Sequence, residues 1–255
     1  MAKRAGMTMH TLSSDPLSFL VAHRGYASRF PENTLPALDA AVQAGARYVE
    51  VDVLLSADAV PVVFHDRDCR RLCGADGAIH DYPLAALRGL TAYAPDRFGD
   101  RYRGTCIPTV EELGQWLDRH GGVTVFVEIK RQAVERFGAA AVVDATYRAL
   151  GPARARTVLI SFSPEALAAA RPLWRNIGLI ADRLDDLQAA ATGGLSCEIV
   201  FCDIDGLPPA GPLAAPAPLA VYEVPDADTA RGLVARGVAF IETFAIGELA
   251  AALQR

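Results

Sequence analysis

Apolar runs of strand length alternate with helical stretches from about residue 19 onward, and no other feature restricts the fold of this chain so tightly. The first cycle is FLVAH, then NTLPALDAAVQA, then YVEVDVLL. The middle piece places Leu35, Leu38 and Val42 at helical spacing, with Asn33 or Thr34 to cap its start and Gly45 after its end. Pro36 falls in the first turn, where its missing N–H costs little. Strand, helix, strand over residues 19 to 54 is a βαβ unit and implies parallel pairing. PVVFHD follows too soon for a crossover helix. It is expected to fold back as a hairpin about Ala57 and Asp58, with Glu50 opposite His65, or else to lie as a third parallel strand.

Residues 67–108 break the pattern with CRRLC, a short helix from Pro83 to Leu90 and the polar RFGDRYRGT. A segment of this length between regular elements points to an insertion over the functional end of the fold. Alternation resumes with TVEELGQWLDRH, where Thr109 and Glu112 form a capping box, and VTVFVEIK. A helix over 134–150 comes next, then five further strands, three of them followed by a helix and EIVFCD by the Pro-rich loop 208–218. Main strands near residues 20, 50, 125, 159, 179, 200, 221 and 240 predict an α/β fold: a (β/α)₈ TIM barrel with an irregular start and a small insertion after the His65 strand. At 255 residues the chain has the length of one such barrel. The expected division is a leader over 1–17 and a single barrel domain over 18–255.

Composition narrows the function classes. The chain is 51% hydrophobic and 22% charged, with a formal net charge of −5 and no Lys/Arg run, so nucleic acid is not an expected partner. No stretch of about 18 apolar residues predicts a membrane span, and the N-terminal residues have no apolar core of a signal peptide. Five irregularly spaced cysteines fit a reducing compartment, so the cytoplasm is the expected location. His65, Cys69, Cys73 and His80 match no standard zinc spacing.

Barrel enzymes place their chemistry at the C-terminal ends of the strands. His23, Glu50, Asp52 and Glu128 fall at or near such ends, with Arg24 next to His23 and Lys130 one step beyond Glu128. Glu50 and Asp52 share one strand face while Val49, Val51 and Val53 share the other. Adjacent carboxylates resist burial unless a cation, a proton or water joins them. Three carboxylates make an all-oxygen donor set that suits Mg²⁺, Ca²⁺ or Mn²⁺ better than zinc. His23 and His65 supply an acid/base pair near neutral pH, and Arg24 and Lys130 are cations of the kind that hold phosphate. Together these residues have the form of a phosphoryl-transfer site.

The ordered set His23-Arg24-Gly25, Pro31-Glu32-Asn33-Thr34, Glu50-Val51-Asp52, His65-Asp66 and Glu128-Ile129-Lys130 resembles the glycerophosphodiester phosphodiesterase family, from about Phe19 to Ala250. The resemblance implies a barrel enzyme that hydrolyses glycerophosphodiesters to glycerol 3-phosphate and an alcohol. It implies a divalent cation on Glu50, Asp52 and Glu128, with His23 and His65 as acid and base and Arg24 and Lys130 on the phosphate. The expected partner is a small-molecule glycerophosphodiester, and oligomeric state is left open. Two stretches depart from the family. Tyr222-Glu223-Val224-Pro225 stands where an aromatic and Thr-Val-Asn are usual, and Glu242-Thr243-Phe244 where the last strand usually ends in Thr-Asp. Glu223, and by its position Asp203, are therefore candidates for the alcohol side. Rival readings are a barrel phospholipase acting on whole lipids and a barrel that only binds a phosphorylated ligand.

Overall fold

The structure is a computed structural model that describes residues 15–255. Most of the leader expected over 1–17 therefore lies outside the described residues. Nine strands follow in order: β1 (Leu20–Ala22), β2 (Tyr48–Leu55), β3 (Pro61–Val63), β4 (Thr124–Ile129), β5 (Thr157–Ser161), β6 (Ile177–Ala181), β7 (Ile199–Asp203), β8 (Leu219–Tyr222) and β9 (Phe240–Thr243). All except β3 pair in parallel, and β1 pairs with both β2 and β9. That double pairing closes an eight-stranded barrel, as the alternation predicted. β3 hangs from β2 as an antiparallel hairpin.

Its register differs from expectation by one residue: Val53 pairs Val63, Leu54 pairs Val62 and Leu55 pairs Pro61. The turn takes up an extra position because Ala59 adopts a left-handed φ of 59° and Ser56 closes the loop, donating from its backbone N–H to Val60 O at 3.0 Å. Pairing stops at Val63, so His65 is not a cross-strand neighbour of Glu50.

Two of the helical crossovers start at side-chain caps expected from the sequence. Leu35–Gln43 starts at Thr34, whose Oγ1 accepts from Ala37 N–H. Val110–Arg119 carries the expected box: Glu112 N–H donates to Thr109 Oγ1, and Thr109 N–H donates to Glu112 Oε2. The helix expected over 134–150 is two helices, Arg131–Phe137 and Ala139–Leu150, because Gly138 at φ 83° breaks the turn between them. Residues 204–218, rich in proline, link β7 to β8 with a single 3₁₀ turn and no α-helix. A last helix, Ile246–Leu253, packs against β1.

Inside the barrel, Val21, Phe126, Val158, Ile180, Phe201 and Phe240 form one apolar cluster. The Phe126 and Phe201 rings meet edge to face across it, 5.2 Å between centroids. Side chains recur on one face every second residue. The next inward positions are therefore His23 after Val21, Glu128 after Phe126, Asp203 after Phe201 and Glu242 after Phe240. The apolar plug thus carries a polar layer at the C-terminal end of the strands. No described helix is long and apolar enough to cross a membrane.

Candidate active site

The polar layer floors a cleft of about 410 Å³. Asp52 and Glu128 are register partners on β2 and β4, and Glu50 lies one inward step below Asp52. Glu50, Asp52 and Glu128 each offer an oxygen within 4.8 Å of the other two, and all three are buried. Glu50 Oε1 has no hydrogen-bond partner among the described residues. Burial, then the charges of Asp52, Glu242 and Glu128, raise the Glu50 carboxyl well above its usual range. Burial likewise raises Glu128. Burial also pushes Asp52 up, but Lys130, Arg24 and a hydrogen bond from Asn33 outweigh it and hold Asp52 well below the carboxylate range. This crowding of buried acids fits a hard divalent cation, which would favour the ionised form of all three.

The two cations are built into the same cluster. Lys130 Nζ lies 2.8 Å from Glu128 Oε1 and 3.2 Å from Asp52 Oδ1. Burial opposes its charge, but those carboxylates raise its pKa above the usual lysine value. Arg24 sits in a left-handed turn with φ 55°, a conformation that costs about 1–2 kcal/mol outside glycine. That turn lets its backbone N–H donate to Glu50 Oε2 at 3.1 Å, while Nε lies 3.1 Å from Asp52 Oδ2 and Nη1 donates to Glu32 Oε1 at 2.9 Å. Gly25 follows at φ 81°, where a Cβ would stand 2.8 Å from the Ala37 backbone. Asn33, also left-handed at φ 57°, donates Nδ2–H to Asp52 Oδ2 at 2.7 Å and accepts the Asp52 backbone N–H at 3.1 Å.

His23 is buried, its Nε2 3.6 Å from Glu50 Oε2, and its ring stacks on Phe244 with centroids 4.6 Å apart. Burial, then the Arg24 charge, lowers its pKa well below the usual histidine value. His65 lines the same cleft more openly, and its Nδ1 lies 2.7 Å from Asp66 Oδ1. Arg71, from the insertion, bridges Asp66 to the buried Glu32.

Glu223 lines the rim of the cleft and is exposed. Asp203 lines it too, but its Oδ1 accepts Asp205 N–H at 2.8 Å and caps the following 3₁₀ turn. Asp182 also lines the cleft, one residue past β6. Sequence reasoning passed over three participants. Glu242 is a fourth buried carboxylate with an unpartnered Oε1, and burial followed by Glu128 raises it well above its usual range. Its signal was its place two residues after an inward Phe240. Glu32 was read only as part of a motif and Asn33 as a motif residue or helix cap, with no partner in the cleft foreseen.

A model of the glycerophosphoryl diester phosphodiesterase family matches residues 23–178, more than half of the chain. The chain belongs to this family. Mouse glycerophosphodiester phosphodiesterase 1 is 31% identical over 147 residues, which are 58% of this chain and 43% of that protein. A Caldanaerobacter subterraneus glycerophosphodiester phosphodiesterase is 35% identical over 96 residues, 38% of this chain and 39% of that one. The chain thus aligns with less than half the length of either relative. Among solved structures, an Oleispira antarctica phosphodiesterase in complex with the product sn-glycerol-3-phosphate superposes with a TM-score of 0.80 at 25% identity, covering 93% of this chain and 97% of that one.

Proposed function

We propose that this family member hydrolyses glycerophosphodiesters to glycerol 3-phosphate and a free alcohol, with a divalent cation and the His23–His65 pair. One observation carries the reading. Three buried carboxylates converge to within 4.8 Å at the floor of a cleft that also takes His23, His65, Arg24 and Lys130. The product held by the Oleispira antarctica relative supports the glycerol 3-phosphate side.

Glu50, Asp52 and Glu128 would hold Mg²⁺, Ca²⁺ or Mn²⁺, and the bound ion would supply Lewis-acid stabilisation of charge on the phosphoryl oxygens. Arg24 and Lys130, kept cationic by their carboxylate neighbours, orient the phosphate and offset the same charge. His23 enters neutral because burial and the flanking cations disfavour its protonation, so it can accept the proton of the glycerol hydroxyl as that oxygen attacks phosphorus. His65, beside Asp66, gives a proton to the departing alcohol oxygen. The phosphorus–alcohol bond breaks, a five-membered cyclic glycerol phosphate forms, and water opens it with the two imidazoles in reversed roles. The stacked ring of Phe244 keeps the His23 imidazole in one plane.

The test is product release from glycerophosphocholine in the presence of cation, followed by phosphorus NMR. The expected products are glycerol 3-phosphate and choline, with turnover falling about 10²-fold or more in His23→Ala and in His65→Ala. A chain that binds the diester and releases nothing, or a His65→Ala enzyme at near-normal rate, contradicts the reading. The same assay on intact phospholipid vesicles separates a soluble diester from a whole-lipid substrate.

A further inference from the structure

Arg71 brings the insertion into the polar cluster. It lies on the one-turn helix Arg70–Cys73, and its guanidinium is committed on two sides. Nε and Nη2 donate to Asp66 Oδ2 and Oδ1 at 2.6 and 2.9 Å. Nη1 and Nη2 donate to Glu32 Oε2 and Oε1 at 2.8 and 2.7 Å. Four of its five N–H groups are thereby used. Glu32 is itself fixed, being 4% exposed and also paired with Arg24. Asp66 is thus clamped through both of its carboxylate oxygens. Its Oδ1 has one further neighbour, His65 Nδ1 at 2.7 Å.

A carboxylate held ionised by a guanidinium accepts hydrogen bonds and donates none. Nδ1 of His65 must then carry the hydrogen, and Nε2 is left as the nitrogen that exchanges a proton with substrate. We propose that Arg71 is a positioning residue for the reaction, holding Asp66 so that Asp66 sets the tautomer and the plane of the His65 ring. This rests on the reading of His65 as an acid/base group. Arg71 lines the cleft as well, so direct contact with phosphate is the rival role. The commitment of four N–H groups to protein carboxylates favours positioning. A lysine, with one point of charge, cannot reproduce two paired contacts at once.

The Arg71 side chain is 43% exposed, and Arg24 still pairs Glu32 without it, so an Arg71→Ala chain should fold. Thermal melting checks this, with Arg71→Gln as the substitute. The experiment is a double-mutant cycle on glycerophosphocholine with His65→Ala, Arg71→Ala and both together, paired with nitrogen NMR of labelled histidine in the metal-stripped chain. Arg71→Ala should lower kcat about 10- to 100-fold with KM little changed, the scale seen for outer partners of functional side chains. The double variant should be no slower than His65→Ala alone. Arg71→Lys should behave as Arg71→Ala. In the spectra, the His65 ring should show a single Nδ1–H tautomer in the parent chain and a mixture in Arg71→Ala. The proposal is overturned if the two losses multiply in the double variant, if KM rises with kcat intact, or if the tautomer is unchanged. A near-normal His65→Ala enzyme overturns the parent reading instead, and is visible in that arm alone.

Discussion

The two sides of the barrel mouth are built differently. On the β1–β2–β4 side, the basic side chains of the cleft are tied to its acids: Arg24 to Glu32, Asp52 and Glu50, and Lys130 to Asp52 and Glu128, while Asn33 also holds Asp52. On the β5–β8 side the cleft is lined by Ile160, Ile180 and Phe201 below and by Asp182, Asp203, Tyr222 and Glu223 at the rim, without a basic side chain. A mutually paired cluster is preorganised and expensive to disturb. A wall of separate side chains can change shape or charge without disturbing it. The family match ends at residue 178, at the start of β6, so β1, β2 and β4 lie within it while β7 and β8 lie beyond it. On this account the first side does the phosphorus chemistry and the second chooses the alcohol.

Substitutions on the two sides should therefore differ in size and in kind. Asp52→Asn strikes the centre of the paired side, where both cations and Asn33 converge. It should lower kcat roughly 10³-fold, the upper scale for one electrostatic stabiliser. A loss of less than tenfold in the same steady-state assay would break the comparison.

Glu242 sits at the seam, and its effect should be of intermediate size and appear in stability. Burial, then its carboxylate neighbours, raise its proton affinity in the folded chain above the ordinary carboxylate value. That stabilisation is complete at pH below the unfolded carboxylate range and is lost as pH rises through the folded value. The metal-stripped chain should thus be strained by this group at pH 8 and not at pH 4. Glu242→Gln removes the titration, so it should melt about 2–4 °C above the parent at pH 8, the shift expected for about 1 kcal/mol in a chain of this size. The difference should close at acid pH, and an equal shift at both pH values would contradict it.

Glu223→Thr, on the exposed rim, should change kcat/KM for glycerophosphocholine by at most about fivefold, as for an exposed charge contact. It should leave a neutral-alcohol diester unaffected. A loss shared equally by both substrates would place Glu223 on the paired side.

The barrel was legible because its strands are short apolar runs joined by segments whose caps follow simple spacing: Thr34 and Thr109 each accept where their sequence position required. Period-two alternation also placed Glu50 and Asp52 on one face before any contact was known. Long-range partners left no such trace. Arg71 and Glu32 are 39 residues apart in sequence, joined only by the fold of the insertion. The hairpin slipped by one residue because a left-handed Ala59 is not what an alanine advertises. Gly138 lies inside the single helix expected over 134–150, and only its positive φ of 83° splits that helix in two. Glu242 was seen as a departure from a motif, when its inward position after Phe240 already made it a buried acid.

The central claim is that one cation-binding set lies within reach of two imidazoles, and binding of the ion itself tests it most directly. Mn²⁺ titrated into the metal-stripped chain, followed by electron paramagnetic resonance, should show one saturable site per chain that disappears when Glu50→Gln, Asp52→Asn and Glu128→Gln are combined. Undiminished binding by that triple variant, or no binding by the parent chain, would contradict the account.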